Sequence, residues 1–314
     1  MMNAIESIGL TKRFRELTAL DELTLEVHEG ELFGLVGPDG AGKTTTMRLL
    51  CGIMDPTSGE ASVAGHSILK EPERIKEKIG YMSQRFGLYG DLTVLENILF
   101  YADLFNVPKR ELSKRIERLL GFSNLTPFKD RLAQNLSGGM KQKLGLACAL
   151  IHTPEILFLD EPTFGVDPIS RGEFWQILYG LLKEGVTIFV STAYMDEAER
   201  CHRVGLLHRG RLIACDEPDR LKLTTQEAFF EIRSRDRKRT KQVLDTLLIV
   251  KGTSLFGDSI HIKLETQEKL DELLLGLKEM GIEAEAREIA PSLEDIFISM
   301  TQSKVGTEVE AHGS

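Results

Sequence analysis

One segment, Gly37-Pro-Asp-Gly-Ala-Gly-Lys43-Thr44, restricts what this chain can fold into more than any other. It follows Glu31-Leu-Phe-Gly-Leu-Val36, which reads as a buried strand, and precedes a helix expected over Thr44–Cys51. Strand, glycine loop, Lys-Thr and helix in that order form the pattern G-x-x-x-x-G-K-[ST], a cradle for the phosphates of a nucleoside triphosphate. Gly37, Gly40 and Gly42 let the backbone turn sharply, with Pro38 and Ala41 between them, and bring bare amides up to an anion. The helix start adds unpaired N–H groups and the positive end of its dipole. Lys43 is suited to bridge the β- and γ-phosphates and Thr44 to hold Mg²⁺, with Thr45 completing the binding run. The pattern marks a nucleotide triphosphatase.

Two further segments belong with the first. Ile156-Leu-Phe-Leu159 is an apolar strand that ends on two carboxylates. Asp160 suits a Mg²⁺ ligand, and Glu161 suits the group that polarises an attacking water. Leu136-Ser-Gly-Gly-Met140 sets the Ser137 hydroxyl and the amides of Gly138 and Gly139 at a helix start, a second anion site. One nucleotide does not need two phosphate cradles in one subunit.

Taken together, these residues resemble the ATP-binding subunit of an ABC transporter, and the match runs from Phe14 to near Gly210. The resemblance implies a P-loop NTPase (RecA-like) α/β core with an ABC helical subdomain. It resolves the double cradle, because Ser137–Gly139 would cover the γ-phosphate held by a second ATPase subunit in a homo- or heterodimer. Asp167, after Asp160-Glu161, matches the loop along that dimer seam. Asp39, an acid beside polyphosphate, is expected to face the partner subunit. Gln84, in Gly80-Tyr-Met-Ser-Gln84, matches the glutamine that reaches Mg²⁺ or the water and senses the γ-phosphate. Phe14, in Thr11-Lys-Arg-Phe14, matches the aromatic that stacks on adenine. The family departs from this chain at one point: Ala193, in Val190-Ser-Thr-Ala193, stands where a histidine normally contacts the γ-phosphate. Catalytic roles therefore fall on Glu161, Gln84 and Lys43, and the cofactors implied are ATP and Mg²⁺.

The segment Pro291-Ser-Leu-Glu-Asp-Ile-Phe297 resembles the ending of ATPase subunits from bacterial ABC-2-type exporters. The whole of 1–220 looks like one half of the tandem multidrug-export subunits. The partners implied are integral membrane ABC-2-type permease subunits, contacted through region 85–110, where Arg85 and Asp91 are expected to be exposed. Two other readings stand beside this one. A soluble ABC-type ATPase acting on ribosomes or DNA normally has two ATPase domains or a long coiled-coil insert. A regulatory ATP-binding pseudo-enzyme would fit Ala193 but not Glu161.

Composition narrows the class. The chain has 314 residues, 42% hydrophobic and 28% charged, with a net charge of −9. That balance argues against a nucleic-acid partner, which favours a basic surface. No apolar run approaches the roughly 20 residues of a membrane helix. The N-terminus lacks a signal-peptide pattern. The expectation is a peripheral protein on the cytoplasmic face of the inner membrane. Cys51, Cys148, Cys201 and Cys215 form no metal-ligand pair and read as free thiols.

Along the chain, 1–90 and 155–215 read as strands and helices around a mostly parallel core, including strands 186–190 and 204–208. Region 91–150 reads as nearly all helix, with Leu112, Ile116, Leu119 and Leu120 at helical spacing. Helix 170–183 carries Phe174, Ile177, Leu178, Leu181 and Leu182 on one face. His208-Arg-Gly-Arg211 reads as a hairpin turn closing the ATPase domain at 220. Residues 226–300 read as a small α/β domain with strands at 228–232, 259–264 and 283–288. Its helix carries Leu270, Leu273, Leu274 and Leu277. The basic run 233–241 reads as a solvated face and 301–314 as a disordered tail.

Overall fold

The structure, a computed structural model, describes residues 2–84, 87–225 and 227–301. Two compact units divide between Cys215 and Asp216. Arg85, Phe86 and the tail from 302 lie outside the described residues. Thr301 still belongs to a helix, where its Oγ1 donates to Phe297 O at 3.0 Å.

The first unit begins with a long hairpin, β1 (Asn3–Phe14) and β2 (Leu17–His28), then β3 (Leu32–Val36) and α1 (Lys43–Leu50). Next come β4 (Ser58–Val63), β5 (His66–Ser67), α2 (Pro72–Lys78) and β6 (Ile79–Met82). A helical stretch follows: α3 (Val94–Leu104), α4 (Lys109–Phe122) and α5 (Gly138–Leu150). The unit closes with β7 (Ile156–Asp160), α6 (Pro168–Lys183), β8 (Thr187–Thr192), α7 (Met195–Ala198), β9 (Arg203–His208) and β10 (Arg211–Asp216).

Six of these strands form one sheet in the order β10-β9-β3-β8-β7-β6. From β9 through β6 every pairing is parallel. β3, β7 and β8 are buried at every residue, as expected of strands covered on both faces. Phe33, Phe189 and Phe158 pack as tilted rings across the middle, with centroids 5.3 and 5.4 Å apart. Because five strands run the same way, their carboxyl ends share one edge. Gly37, Asp160, Thr192, Gln84 and His208 all lie at or just beyond those ends.

The core is mostly parallel, as expected, and β2-β1-β4-β5 form a separate antiparallel sheet beside it in the same unit. The cause is local. β1 and β2 are joined only by Arg15-Glu16, with Arg15 at φ 53°, so they pair with each other and leave the parallel sheet to β3. The helical region conforms to its spacing: Leu119 and Leu120 are buried, and Leu112 and Ile116 half-buried. Thr93 and Glu96 form a capping box that starts α3. On α6, Phe174, Ile177, Leu178 and Leu181 are buried and Leu182 half-buried, and Trp175 joins them at 0% exposure.

The second unit holds α8 (Pro218–Lys222), β11 (Ala228–Ser234), α9 (Arg237–Leu244), β12 (Val250–Phe256), β13 (Ser259–Leu264), α10 (Lys269–Glu279) and β14 (Ala284–Ile289). Its antiparallel sheet runs β12-β13-β11-β14. Phe230, Ile232, Ile260, Ile262 and Leu264 meet Leu244 of α9 and Leu273 and Leu277 of α10 in its core. The basic run is mostly exposed, yet part of it winds into α9 because Asp236 caps that helix, accepting from Arg239 N at 3.0 Å. Ser292 and Asp295 exchange capping bonds at the start of the last helix, through Asp295 N to Ser292 Oγ (3.1 Å) and Ser292 N to Asp295 Oδ2 (2.9 Å). Among the described residues, no helix is long and apolar enough to cross a membrane.

Candidate active site

The glycine loop is shaped by close approach. A Cβ on Gly37 would stand 2.2 Å from the Leu207 carbonyl oxygen. Gly42 has φ 111°, and a Cβ there would stand 2.5 Å from Ala19 O. No larger residue fits either position without moving backbone. Gly42 is also the N-cap of α1 and offers no side-chain cap, so the first-turn amides stay open to a ligand.

Lys43 folds back over this loop. Its Nζ donates to Gly37 O at 2.7 Å and Pro38 O at 3.1 Å, and lies 3.1 Å from Glu161 Oε1. Gln84 Nε2 donates to Glu161 Oε2 at 2.8 Å. Glu161 sits at φ 48°, a left-handed conformation rare for this residue type. The Glu161 N–H, directed at Ser191, donates to its Oγ (3.0 Å) and its backbone oxygen (3.1 Å), which holds that strained turn in place.

Asp160 is 1% exposed. Its Oδ1 accepts from Thr44 Oγ1 (3.1 Å) and Ser191 Oγ (2.7 Å), while Oδ2 is buried with no hydrogen-bond partner among the described residues. Burial, and then the Asp160 charge, push the Tyr81 phenol up to about 12. The same two causes raise the Cys51 thiol. Hard oxygens from Thr44 and Asp160, one of them unpartnered, are the donor set a magnesium ion takes.

Phe14, Asp39, Gly40, Ala41, Gly42, Lys43, Thr44, Thr45, Gln84 and Glu161 line one open cleft of about 820 Å³. Phe14 is 42% exposed there, with Lys12 Nζ 5.2 Å from its ring centroid. Gly37 and Pro38 stand behind the loop and act on the cleft through Lys43. Ser137, Gly138 and Gly139 do not line it. Ser137 caps α5, accepting from Met140 N at 3.3 Å, and Ser137 and Gly138 are exposed. Asp167 caps α6, accepting from Ser170 N (3.0 Å) and Ile169 N (3.1 Å); the Ser170 amide foremost holds its carboxyl below the usual range. Ala193 is exposed, one residue past β8.

Several residues escaped the sequence reading. Ser191 links Asp160 and Glu161. Glu197, fully buried, accepts from Thr192 Oγ1 at 2.7 Å and from Thr163 Oγ1, with Arg171 Nε 3.5 Å away. It ties the segment after Glu161 to the segment before Ala193. The signal was two hydroxyls, Ser191-Thr192, ending an apolar strand. Arg209 also lines the cleft.

Residues 20–164 match the family described as "ABC transporter". The chain is 43% identical over 298 residues to a probable multidrug ABC transporter ATP-binding protein, YbhF, of Escherichia coli (strain K12), covering 93% of this chain and 51% of that one. It thus spans about half the length of that relative. It is 33% identical to the daunorubicin resistance ATP-binding protein DrrA2 of Streptomyces coeruleorubidus, covering 95% of each. Among solved structures it is similar to a dimeric ATP-binding cassette in a post-hydrolysis state bound to ADP and Pi, with 27% identity and a TM-score of 0.61, covering 68% of this chain and 98% of that one. With near full-length similarity to DrrA2 and a phosphate loop facing paired carboxylates, this chain belongs to the family of ABC transporter ATP-binding proteins.

Proposed function

We propose that this chain is the ATP-hydrolysing subunit of an exporter, working against integral membrane ABC-2-type permease subunits at the cytoplasmic face of the inner membrane. The names of the relatives, multidrug and daunorubicin resistance, support export. One observation carries the reading: Lys43, Thr44, Gln84 and Glu161, drawn from three strand ends, line one cleft together with Phe14, and buried Asp160 accepts from Thr44 Oγ1.

In this reading adenine stacks on Phe14, the loop amides from Gly40 to Thr45 hold the phosphates, and Lys43 bridges the last two. Thr44 and Asp160 would hold Mg²⁺, which would neutralise phosphate charge. Glu161 orients a water and accepts its proton as the oxygen attacks the γ-phosphorus and ADP leaves. Gln84 reports the state of that centre towards 85–110. Ser137, Gly138 and Gly139 lie outside the chain's own cleft, which supports their use across a dimer seam, with Asp167 beside it.

Glu161→Gln tests this. It keeps shape but loses the charge that orients water. The expected result is hydrolysis slowed about 10²-fold or more and an ATP-dependent dimer on size-exclusion chromatography. A monomer with ATP and unimpaired turnover would refute the assignment.

A further inference from the structure

We propose that Arg209 is a nucleotide-binding residue, a second cation that holds the phosphate chain from the β9–β10 hairpin. The inference rests on the cleft being the ATP site.

Among the described residues, four ionisable side chains line that cleft: Asp39, Lys43, Glu161 and Arg209. Lys43 is already paired with Glu161. The remaining pair, Asp39 and Arg209, leaves the wall near neutral, a poor match for a tetra-anion unless Arg209 is aimed at it. Arg209 forms no hydrogen bond or ion pair among the described residues. Its neighbour Arg211 is committed elsewhere, with Nε donating to Asp21 Oδ2 at 2.8 Å.

The hairpin tip is fastened to the phosphate loop. Gly210 N donates to Ala41 O at 2.9 Å, and Gly210 O accepts from Asp21 N at 2.8 Å. Gly210 Cα lies 3.6 Å from where a Cβ on Gly42 would stand. Arg209 therefore moves with the loop rather than as a free surface arginine. Its backbone sits at φ 48°, in the left-handed region that Gly and Asn occupy at lower cost. Holding an arginine in that conformation makes sense where its guanidinium has an anion to meet. The charge already acts locally, since burial and then Arg209 lower the pKa of His208.

The test uses ADP, which binds without hydrolysis, measured by isothermal titration calorimetry at two salt concentrations. Arg209→Asn suits the backbone and removes the charge; Arg209→Glu reverses it. Arg209→Asn is expected to weaken ADP about tenfold, the scale of one charge-assisted hydrogen bond, and to flatten the salt dependence. Arg209→Glu weakens it further and Arg209→Lys restores part. Wild-type ADP affinity in both Arg209→Asn and Arg209→Glu overturns the proposal. Lys43→Ala separates the two levels. If it loses ADP while the Arg209 variants do not, only Arg209 is misassigned. If Lys43→Ala also binds normally, the cleft itself is not the nucleotide site.

Discussion

Lys43 Nζ lies 3.1 Å from Glu161 Oε1, and neither side chain is more than 10% exposed. The cation assigned to the phosphates and the carboxylate assigned to the water are thus partners of each other. A phosphate that takes Lys43 must release Glu161, so binding and activation of the base are one exchange.

If that exchange operates, removing the carboxylate charge eases it. Glu161→Gln is expected to bind ADP roughly three- to tenfold tighter than wild type, because Lys43 no longer surrenders an ion pair. Calorimetry checks it, and equal or weaker binding would show that the pair does not compete with phosphate. Lys43→Ala moves the opposite way, losing most nucleotide affinity.

The resemblance implies a histidine contacting the γ-phosphate at the position of Ala193, one residue past β8, and alanine offers no side-chain donor there. A lost donor of this kind costs about 10²–10³ in rate, so the isolated protein is expected to hydrolyse ATP slowly. The position is exposed and accepts a larger side chain. Ala193→His should raise kcat at least about tenfold with KM little changed. A fast wild type and an unchanged variant would mean that Ala193 costs nothing.

Glu197 is 0% exposed and holds two hydroxyls, Thr163 and Thr192, with Arg171 beside it. Glu197→Ala leaves Arg171 without its buried partner and is expected to cost about 3 kcal/mol in urea unfolding. Glu197→Gln keeps an acceptor and should cost less. Since Glu197 ties both segments flanking the chemistry, Glu197→Gln should also lower kcat more than it raises KM. A pure stability loss with normal kcat would confine Glu197 to folding.

His152 stacks on Phe105 with centroids 3.9 Å apart, and its Nε2 bonds Ile79 O at 2.9 Å. Burial foremost lowers its pKa below 6.5. The unfolded chain therefore takes up the proton first as pH falls. The stability of neutral His152 is fully present above about pH 6.5 and is lost as pH drops toward the folded pKa. The stability advantage of wild type over His152→Gln should accordingly rise with pH up to about 6.5 and then level off. A pH-independent difference would contradict the shift.

Between-residue distances along the chain explain what could be read early. The turn from β3 through Lys43 to α1 is set by neighbours, so its glycines, its lysine and its helix are legible in order. The paired carboxylates announce themselves at the end of an apolar strand, and the stripes on α4, α6 and α10 follow from helical spacing. β12 was missed because Val250-Lys-Gly-Thr-Ser-Leu-Phe256 alternates weakly and breaks register between Val250 and Gly252. The antiparallel sheet was missed because a buried strand reads alike in either partner direction.

The sequence by itself determined that this chain carries a phosphate loop, two carboxylates and a second glycine cradle, because each is a local pattern of backbone and side-chain chemistry. Only the tertiary structure decided which of them meet. The order β9-β3-β8-β7-β6, all parallel, sets the carboxyl ends of distant strands on one edge. That edge brings Gln84 to Glu161 and Ser191 to Asp160, and fastens the Arg209 hairpin to Ala41. The same geometry leaves Ser137–Gly139 outside the chain's own cleft. No local pattern encodes such meetings, because they depend on strand order and direction, which packing of the whole core selects.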